Sequence, residues 1–343
     1  MRTRRAGQTA STMDPLAPLK AFDRLQRRRR GLAVPIAVVR KFGDDGGGNL
    51  AALIAYYGFF SLFPLLMVFV AILGFVLQGD AHAQQQILST ALAQFPIVGD
   101  QLRAGSLKGN TLALVIGAAG AILSGLGVTL AAQNAFSRIY GIAHRDRDGF
   151  VPARLRGLRL LAVLGTLQIV STVAAGAVSG GVGGPLLAVA GIAVSLLLNA
   201  VLFLAAFRML TDGAVPTREL RPGIVMATVL WTILQSVGGY YIGHVVKSAG
   251  STYGTFATVI GLLTWLFLGG RILVYSAELN SVLAGRLWPR SLFDPPEPAD
   301  HRVLERLAQI EERRKEQEVT VSFGSDADAG PEAEATASAS RPG

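Results

Sequence analysis

The chain has 343 residues, 51% of them hydrophobic and only 16% charged, with a mean hydropathy of +0.43. Soluble domains carry about 25% charged residues, and the deficit here sits in long uncharged runs, so the composition implies a polytopic membrane protein. Net charge is +9 and cysteine is absent, which excludes disulfides, thiolate metal sites and cysteine nucleophiles.

The N-terminal segment, residues 1–45, is basic: Arg2, Arg4, Arg5, Lys20, Arg24, the run Arg27 to Arg30, Arg40 and Lys41. No apolar region follows the first arginines, so it does not read as a secretory signal. Its first part is expected to be disordered. Leu32 to Phe42 reads as a short interfacial helix, broken by Asp44, Asp45 and three glycines. The first span is expected at about residues 50–77, with Pro64 kinking or dividing it. Residues 81–109 are polar enough to leave the membrane, and their first half reads as an amphipathic outer helix stopped near Pro96.

A second span follows at 111–139, then a loop with Arg138, Arg145, Arg147, Arg154, Arg156 and Arg159. Residues 160–207 carry no charge. At 1.5 Å per residue that length makes two spans, 160–179 and 185–207. The glycine-rich stretch Gly176 to Pro185 supplies the turn of a hairpin. Arg208, Arg218 and Arg221 mark the next loop. Span five runs over 223–246 and span six over 255–284, inside the apolar stretch Ser251 to Ala284. After Trp288 and Pro289 the chain turns soluble. A charged helix is expected over Pro298 to Val319, with Val303, Leu304, Leu307 and Ile310 on one face. Ser325 to Gly343 has the composition of a disordered tail.

The basic residues set an orientation. Eleven lie in the N-terminal segment, six in the loop after span two, three in the loop after span four and eight beyond Gly285. The intervening loops hold Arg103, Lys108 and Lys247. The positive-inside rule then places both termini in the cytoplasm. The expected fold class is all-α: a bundle of six transmembrane helices (46–290) between the basic segment 1–45 and a cytoplasmic tail 291–343. The high net charge is read as this orientation signal, with anionic lipid at the cytoplasmic face as a partner, rather than as a nucleic-acid footprint.

Chemistry is sparse. His82, His144, His244 and His301 fall in four separate segments, and no paired metal-ligand motif occurs, so no metal, cofactor or catalytic residue is expected. His244 reads as a solvated residue at a span end. No phosphate loop is present, and the glycines at 176–184 and 238–239 read as a turn and a helix contact rather than a dinucleotide site. The candidates that remain are polar groups inside spans: Tyr56, Tyr57, Ser61, Gln133, Asn134, Gln168, Asn199, Gln235, Arg271, Tyr275, Glu278 and Asn280. The plain alternative for each neutral one is an interhelical hydrogen bond, about 0.6 kcal/mol on average. A charged residue at membrane depth costs at least about 2.5 kcal/mol on insertion scales and marks a functional site by default. Arg271 and Glu278 are seven residues apart, hence on one helix face but about 10.5 Å apart along the axis. A direct ion pair is therefore not expected. Each must meet water or another helix: Arg271 the polar groups of spans one to five or, in a structural role, backbone carbonyls, and Glu278 the same cavity or backbone N–H groups of an inner loop.

Three stretches carry a resemblance. AALIAYYGFFSLFPLL (Ala51 to Leu66), FRMLTDGAVPTRELRPGIVMATVLW (Phe207 to Trp231) and YGTFATVIGLLTWLFLGGRILVYSAELN (Tyr253 to Asn280) together resemble the YihY/virulence factor BrkB family, once labelled ribonuclease BN-like. The resemblance covers about residues 31–288. It implies a six-helix inner-membrane protein linked to export, to lipid or envelope-component transport and to serum resistance. Arg271 departs from the pattern, because many members carry a neutral residue there. The expected function is that of a plasma-membrane transporter or lipid translocator with a polar intramembrane cavity and a small-molecule or lipid substrate. A non-transporting scaffold for envelope biogenesis and, less favoured, a membrane-tethered ribonuclease stand beside it. A homo-oligomer is left open.

Overall fold

A computed structural model describes residues 16–76, 111–179, 185–211, 215–241, 247–293 and 295–323. Among these the protein is all-helical, with no strand. Two short helices come first, α1 (Ala17–Arg28) and α2 (Arg30–Asp44). Six long ones follow: α3 (Gly47–Val76), α4 (Thr111–Ile139), α5 (Phe150–Ser179), α6 (Pro185–Leu210), α7 (Thr217–Tyr241) and α8 (Lys247–Ala284). A terminal α9 spans Pro298–Ile310. Among the described residues four helices contain stretches long and apolar enough to cross a membrane: Gly47–Val68, Leu114–Ile139, Ala193–Leu210 and Val259–Ala284. Helix α5 starts ten residues before the expected span, at Phe150, and α7 starts at Thr217, because both carry basic turns that precede their apolar part.

The core gathers at one end of the bundle. Its members come from the first turns of α3 (Ala51), the last turns of α4 (Phe136, Ile139), early α5 (Leu160), late α6 (Phe203, Phe207), early α7 (Leu220, Ile224) and late α8 (Val274, Ala277). Phe136 and Phe207 meet edge to face with centroids 5.1 Å apart. Alternating chain direction brings these ends together on the side that carries both terminal helices. The helices meet at small residues: a Cβ built on Gly270 of α8 would lie 2.8 Å from the Ala51 carbonyl oxygen of α3, so only glycine permits that approach.

Three expectations are corrected. The segment Leu32 to Phe42 belongs to a longer helix that packs inward, burying Ala33, Ala37, Val38 and Lys41 against α8, because its small residues fit a helix contact. Helix α3 runs unbroken through Pro64, which overturns the expected division of that span and leaves the expected kink untouched. The tail helix stops at Ile310 rather than Val319, and Leu304 is exposed while Val303 and Ile310 are buried. The residues beyond Ile310 form loop contacts instead, with Glu312 accepting from Arg145 at 2.9 Å. The expected outer helix of 81–95, the hairpin turn at 180–184, the disordered ends at 1–15 and 325–343, His82 and His244 lie outside the described residues.

The terminal segments dock on each other. Arg290 donates to Asp300 at 2.5 Å and to Asp44 at 2.9 Å. Asp300 also accepts from the hydroxyl and N–H of Ser291 (2.6 and 3.0 Å) and from the Glu297 N–H, closing a capping box on α9. Burial alone would raise the Asp300 carboxyl. The bonds from Ser291, Arg290 and the Glu297 N–H outweigh it and bring it down to about 2. A depressed folded value stabilises the fold above the unfolded value near 4, and that contribution is lost as pH falls through about 2. Asp300→Asn is expected to cost roughly 2 kcal/mol at pH 7 and to flatten the acid limb of thermal melts between about pH 4 and pH 2. A variant that melts like the parent at pH 7 would show the dock to be energetically idle.

Candidate functional site

A buried ion triad sits where α2, α4 and α8 meet. Helical spacing puts Lys41 and Asp45 one turn apart. Lys41 Nζ donates to Asp45 Oδ2 at 2.5 Å, to Glu278 Oε2 at 2.9 Å and to the Ile139 carbonyl at 2.9 Å. All three ammonium donors are therefore used. The three side chains are 4%, 1% and 0% exposed. Ile139 is the last residue of α4, so its carbonyl lacks a partner within the helix and faces the negative end of the dipole. Ser281 donates to the same oxygen at 2.9 Å. Beside the triad lies a cavity of about 10 Å³ lined by Arg138 and Arg306, room for about one water. Glu278 Oε1 is buried and meets no hydrogen-bond partner among the described residues. Two carboxylates thus share one ammonium in a buried junction. Such an arrangement locks helices in register.

The last turns of α8 make a second junction. Asn280 Oδ1 accepts from the Gly223 N–H of α7 at 2.6 Å. Glu278 is thus bonded to α2 and Asn280 to α7.

Arg271 stands apart from Glu278. It is half-buried, and its Nη2 donates to the Tyr275 hydroxyl at 3.4 Å, a long bond. The guanidinium lies 5.6 Å from the ring of Phe42, 5.7 Å from Phe267 and 5.6 Å from Tyr275. Tyr275 itself stacks on Phe42 at 3.9 Å. The expected polar surroundings are replaced by aromatic faces, which stabilise a cation without hydrogen bonds. No carboxylate among the described residues pairs with Arg271.

The other candidates scatter. Tyr56 and Tyr57 are exposed, at 54% and 37%, and contact each other edge to face. Ser61 bonds its own helix at the Gly58 carbonyl. Gln133 donates to the Ala153 carbonyl at 3.2 Å, and Asn134 accepts from Arg147 at 2.9 Å. Asn199 faces Thr232 and Gln235, each at 3.4 Å. Gln168 is exposed. Of these, Gln133, Asn134 and Asn199 bond a neighbouring helix or loop. His144 Nδ1 donates to the Ile310 carbonyl at 2.5 Å, and His301 stacks on Phe323. Among the described residues no three His, Cys, Asp or Glu side chains group as metal ligands. Among the described residues a polar groove of about 770 Å³ runs between the loop Gly141 to Asp146 and the stretch Glu305 to Val321.

Lys41 and Asp45 escaped notice in the sequence because a cation in a basic segment reads as a topology signal. The one available hint was that Lys41 and Asp45 have helical spacing inside a stretch otherwise apolar on that face.

Comparison with known proteins follows the same lines. The chain is 27% identical over 279 residues to the inner membrane protein YhjD of Escherichia coli (strain K12), an overlap that covers 73% of this chain and 81% of that one. It is 28% identical over 93 residues to the putative ribonuclease-like protein YfkH of Bacillus subtilis (strain 168), covering 27% of this chain and 34% of that one. No solved structure matches it. The virulence factor BrkB family profile matches residues 38–300, from the middle of α2 to the first turn of α9. The match takes in both halves of the ion triad, the aromatic setting of Arg271 and every long apolar helix, and the chain is an inner-membrane protein of the virulence factor BrkB family.

Proposed function

We propose that the protein is a six-span plasma-membrane translocator of an anionic lipid or envelope component, with both termini in the cytoplasm and Arg271 as the residue that meets the anion. The observation that carries this reading is the state of Arg271: half-buried within an apolar stretch, over three aromatic rings, with no carboxylate partner among the described residues. A guanidinium so placed retains most of its donors for a phosphate or carboxylate, which it binds bidentately. Nearby Glu278 does not compete, because Lys41 holds it. The orientation rests on the gathering of basic loops at the buried end of the bundle.

The test is to compare the lipid and metabolite content of membranes and medium in cells with the chain, without it, and with Arg271→Leu or Arg271→Lys. An anionic component is expected to accumulate without the chain and with Arg271→Leu, and less so with Arg271→Lys. The fall in transport is expected to be about 10- to 100-fold, since a hydrogen bond to a charged group contributes about 1.5–3 kcal/mol. Wild-type behaviour of a folded Arg271→Leu protein would remove Arg271 from the working site.

The groove between the 141–146 loop and the 305–321 stretch favours a second reading, a scaffold that holds a partner at the cytoplasmic face. Under that reading Arg271→Leu is silent and groove substitutions are not. A ribonuclease reading has the relative's name for support, and would require metal-dependent RNA cleavage by the purified protein.

A further inference from the structure

Helix α1 is inside out for a water-facing surface. Its two buried side chains are polar, Asp23 and Gln26. Gln26 donates to the Arg290 carbonyl at 2.7 Å, and Asp23 accepts from the Leu292 N–H at 3.0 Å. Arg27 adds bonds to Glu297 at 2.8 Å and to the Phe293 carbonyl at 2.9 Å. Meanwhile the large apolar side chains are exposed: Leu19 at 52%, Phe22 at 43% and Leu25 at 45%. At 100° per residue these three share one side of the helix, while Lys20, Arg24 and Arg28 share the opposite side. With Asp23, Gln26 and Arg27 pinned, no neighbour among the described residues covers Leu19, Phe22 and Leu25.

The height of α1 on the molecule says what covers that side. One residue, Arg29, joins α1 to α2, and Lys41 of α2 is bonded to Glu278 near the end of the apolar run of α8. The stretch that pins α1 begins at Arg290, a few residues past Ala284, where α8 stops. Arg30 lies over Trp288 at 5.1 Å, a pairing suited to the membrane boundary. The outward side of α2 continues the pattern, with Leu32 and Val39 exposed opposite the buried Ala33, Ala37 and Val38. Apolar side chains at the rim of a membrane bundle, backed by a row of cations, match a lipid leaflet in shape and in charge.

We propose that α1 is an interfacial helix that seats Leu19, Phe22 and Leu25 among the acyl chains of the cytoplasmic leaflet while Lys20, Arg24 and Arg28 bind anionic headgroups. The leaflet assignment rests on the orientation given above. The seating makes the lipid composition of that leaflet a ligand of the terminal dock, because α1 also holds the Arg290 to Glu297 stretch.

The chain has no native cysteine, so single probes are unambiguous. An environment-sensitive fluorophore is placed on Phe22→Cys or, as a control in the exposed charged loop after α9, on Arg313→Cys in the full chain. Each is reconstituted into phosphatidylcholine vesicles with or without phosphatidylglycerol, and quenching by doxyl-labelled lipid is read. The probe at position 22 is expected to be quenched at least about twofold more with phosphatidylglycerol present, as basic side chains at a charged surface require, and the control not at all. Replacing Lys20, Arg24 and Arg28 by Gln should abolish the phosphatidylglycerol dependence. A water-exposed probe at 22, or one shielded yet unquenched because protein or a second copy covers it, overturns the proposal. Equal quenching in both vesicles overturns the headgroup recognition. Labelling of Phe22→Cys from outside intact cells would overturn the orientation instead, which keeps the two failures distinct.

Discussion

Lys41→Met should destabilise the protein by about 3–5 kcal/mol, the cost of leaving a buried charge without its partner. The reason is the stoichiometry of the junction. Lys41 is the ammonium between Asp45 and Glu278, and its third donor satisfies the end of α4 at Ile139. Methionine matches the stem but leaves two carboxylates facing each other in a site with almost no water. A loss of that size is a large share of the ~5–15 kcal/mol that holds a typical fold together. Glu278→Gln should be far milder, within about 1 kcal/mol, because one ammonium and one carboxylate remain as a neutral pair and the amide oxygen still accepts from Lys41. Thermal unfolding of both variants in one detergent checks the order. If Lys41→Met melts at the parent temperature, or below Glu278→Gln by nothing, the triad is not a lock.

Gly223→Ala should cost about 3 kcal/mol or more, at the upper end of what overpacking does. A Cβ there would overlap the Ser276 carbonyl oxygen and the Asn280 side chain of α8. Rotation of Asn280 relieves only half of the clash, since the Ser276 oxygen is backbone. Separating α7 from α8 to make room also breaks the Gly223 to Asn280 hydrogen bond. Adding Asn280→Ala should therefore fail to rescue the variant. Gly165→Ala serves as the contrast, since nothing lies within 4 Å of a Cβ at that exposed position of α5. It should be neutral or slightly stabilising. Size-exclusion profiles and melting temperatures of the variants read the difference. Rescue by Asn280→Ala would show that the helices have more freedom here than the close approach implies.

That the chain is built of long apolar helices was legible from composition, because long uncharged runs are a local property. Capping at Glu297 was harder to see. It depends on Asp300 reaching back and on Arg290 arriving from outside the helix. The stretch past Ile310 has enough Glu and Arg for helix periodicity, yet it ends because Glu312 and Gln317 bond the loop at Arg145 instead.

By itself the sequence determined the class: an all-helical membrane protein with its basic residues gathered on alternate loops, and Arg271 isolated in an apolar stretch. Both follow from side-chain polarity and helical period, which act over a few turns of chain. Tertiary structure alone decided which charges meet. Lys41 and Glu278 are 237 positions apart, and no local pattern says that α2 lies against the C-terminal end of α8. The same holds for α1, whose amphipathic period predicts two faces without saying which one is buried. Docking on Arg290 and Leu292 took up only the strip of Asp23 and Gln26, and left Leu19, Phe22 and Leu25 as well as Lys20, Arg24 and Arg28 exposed. Periodicity specifies a face; only the neighbouring helix or the lipid around it determines what that face touches.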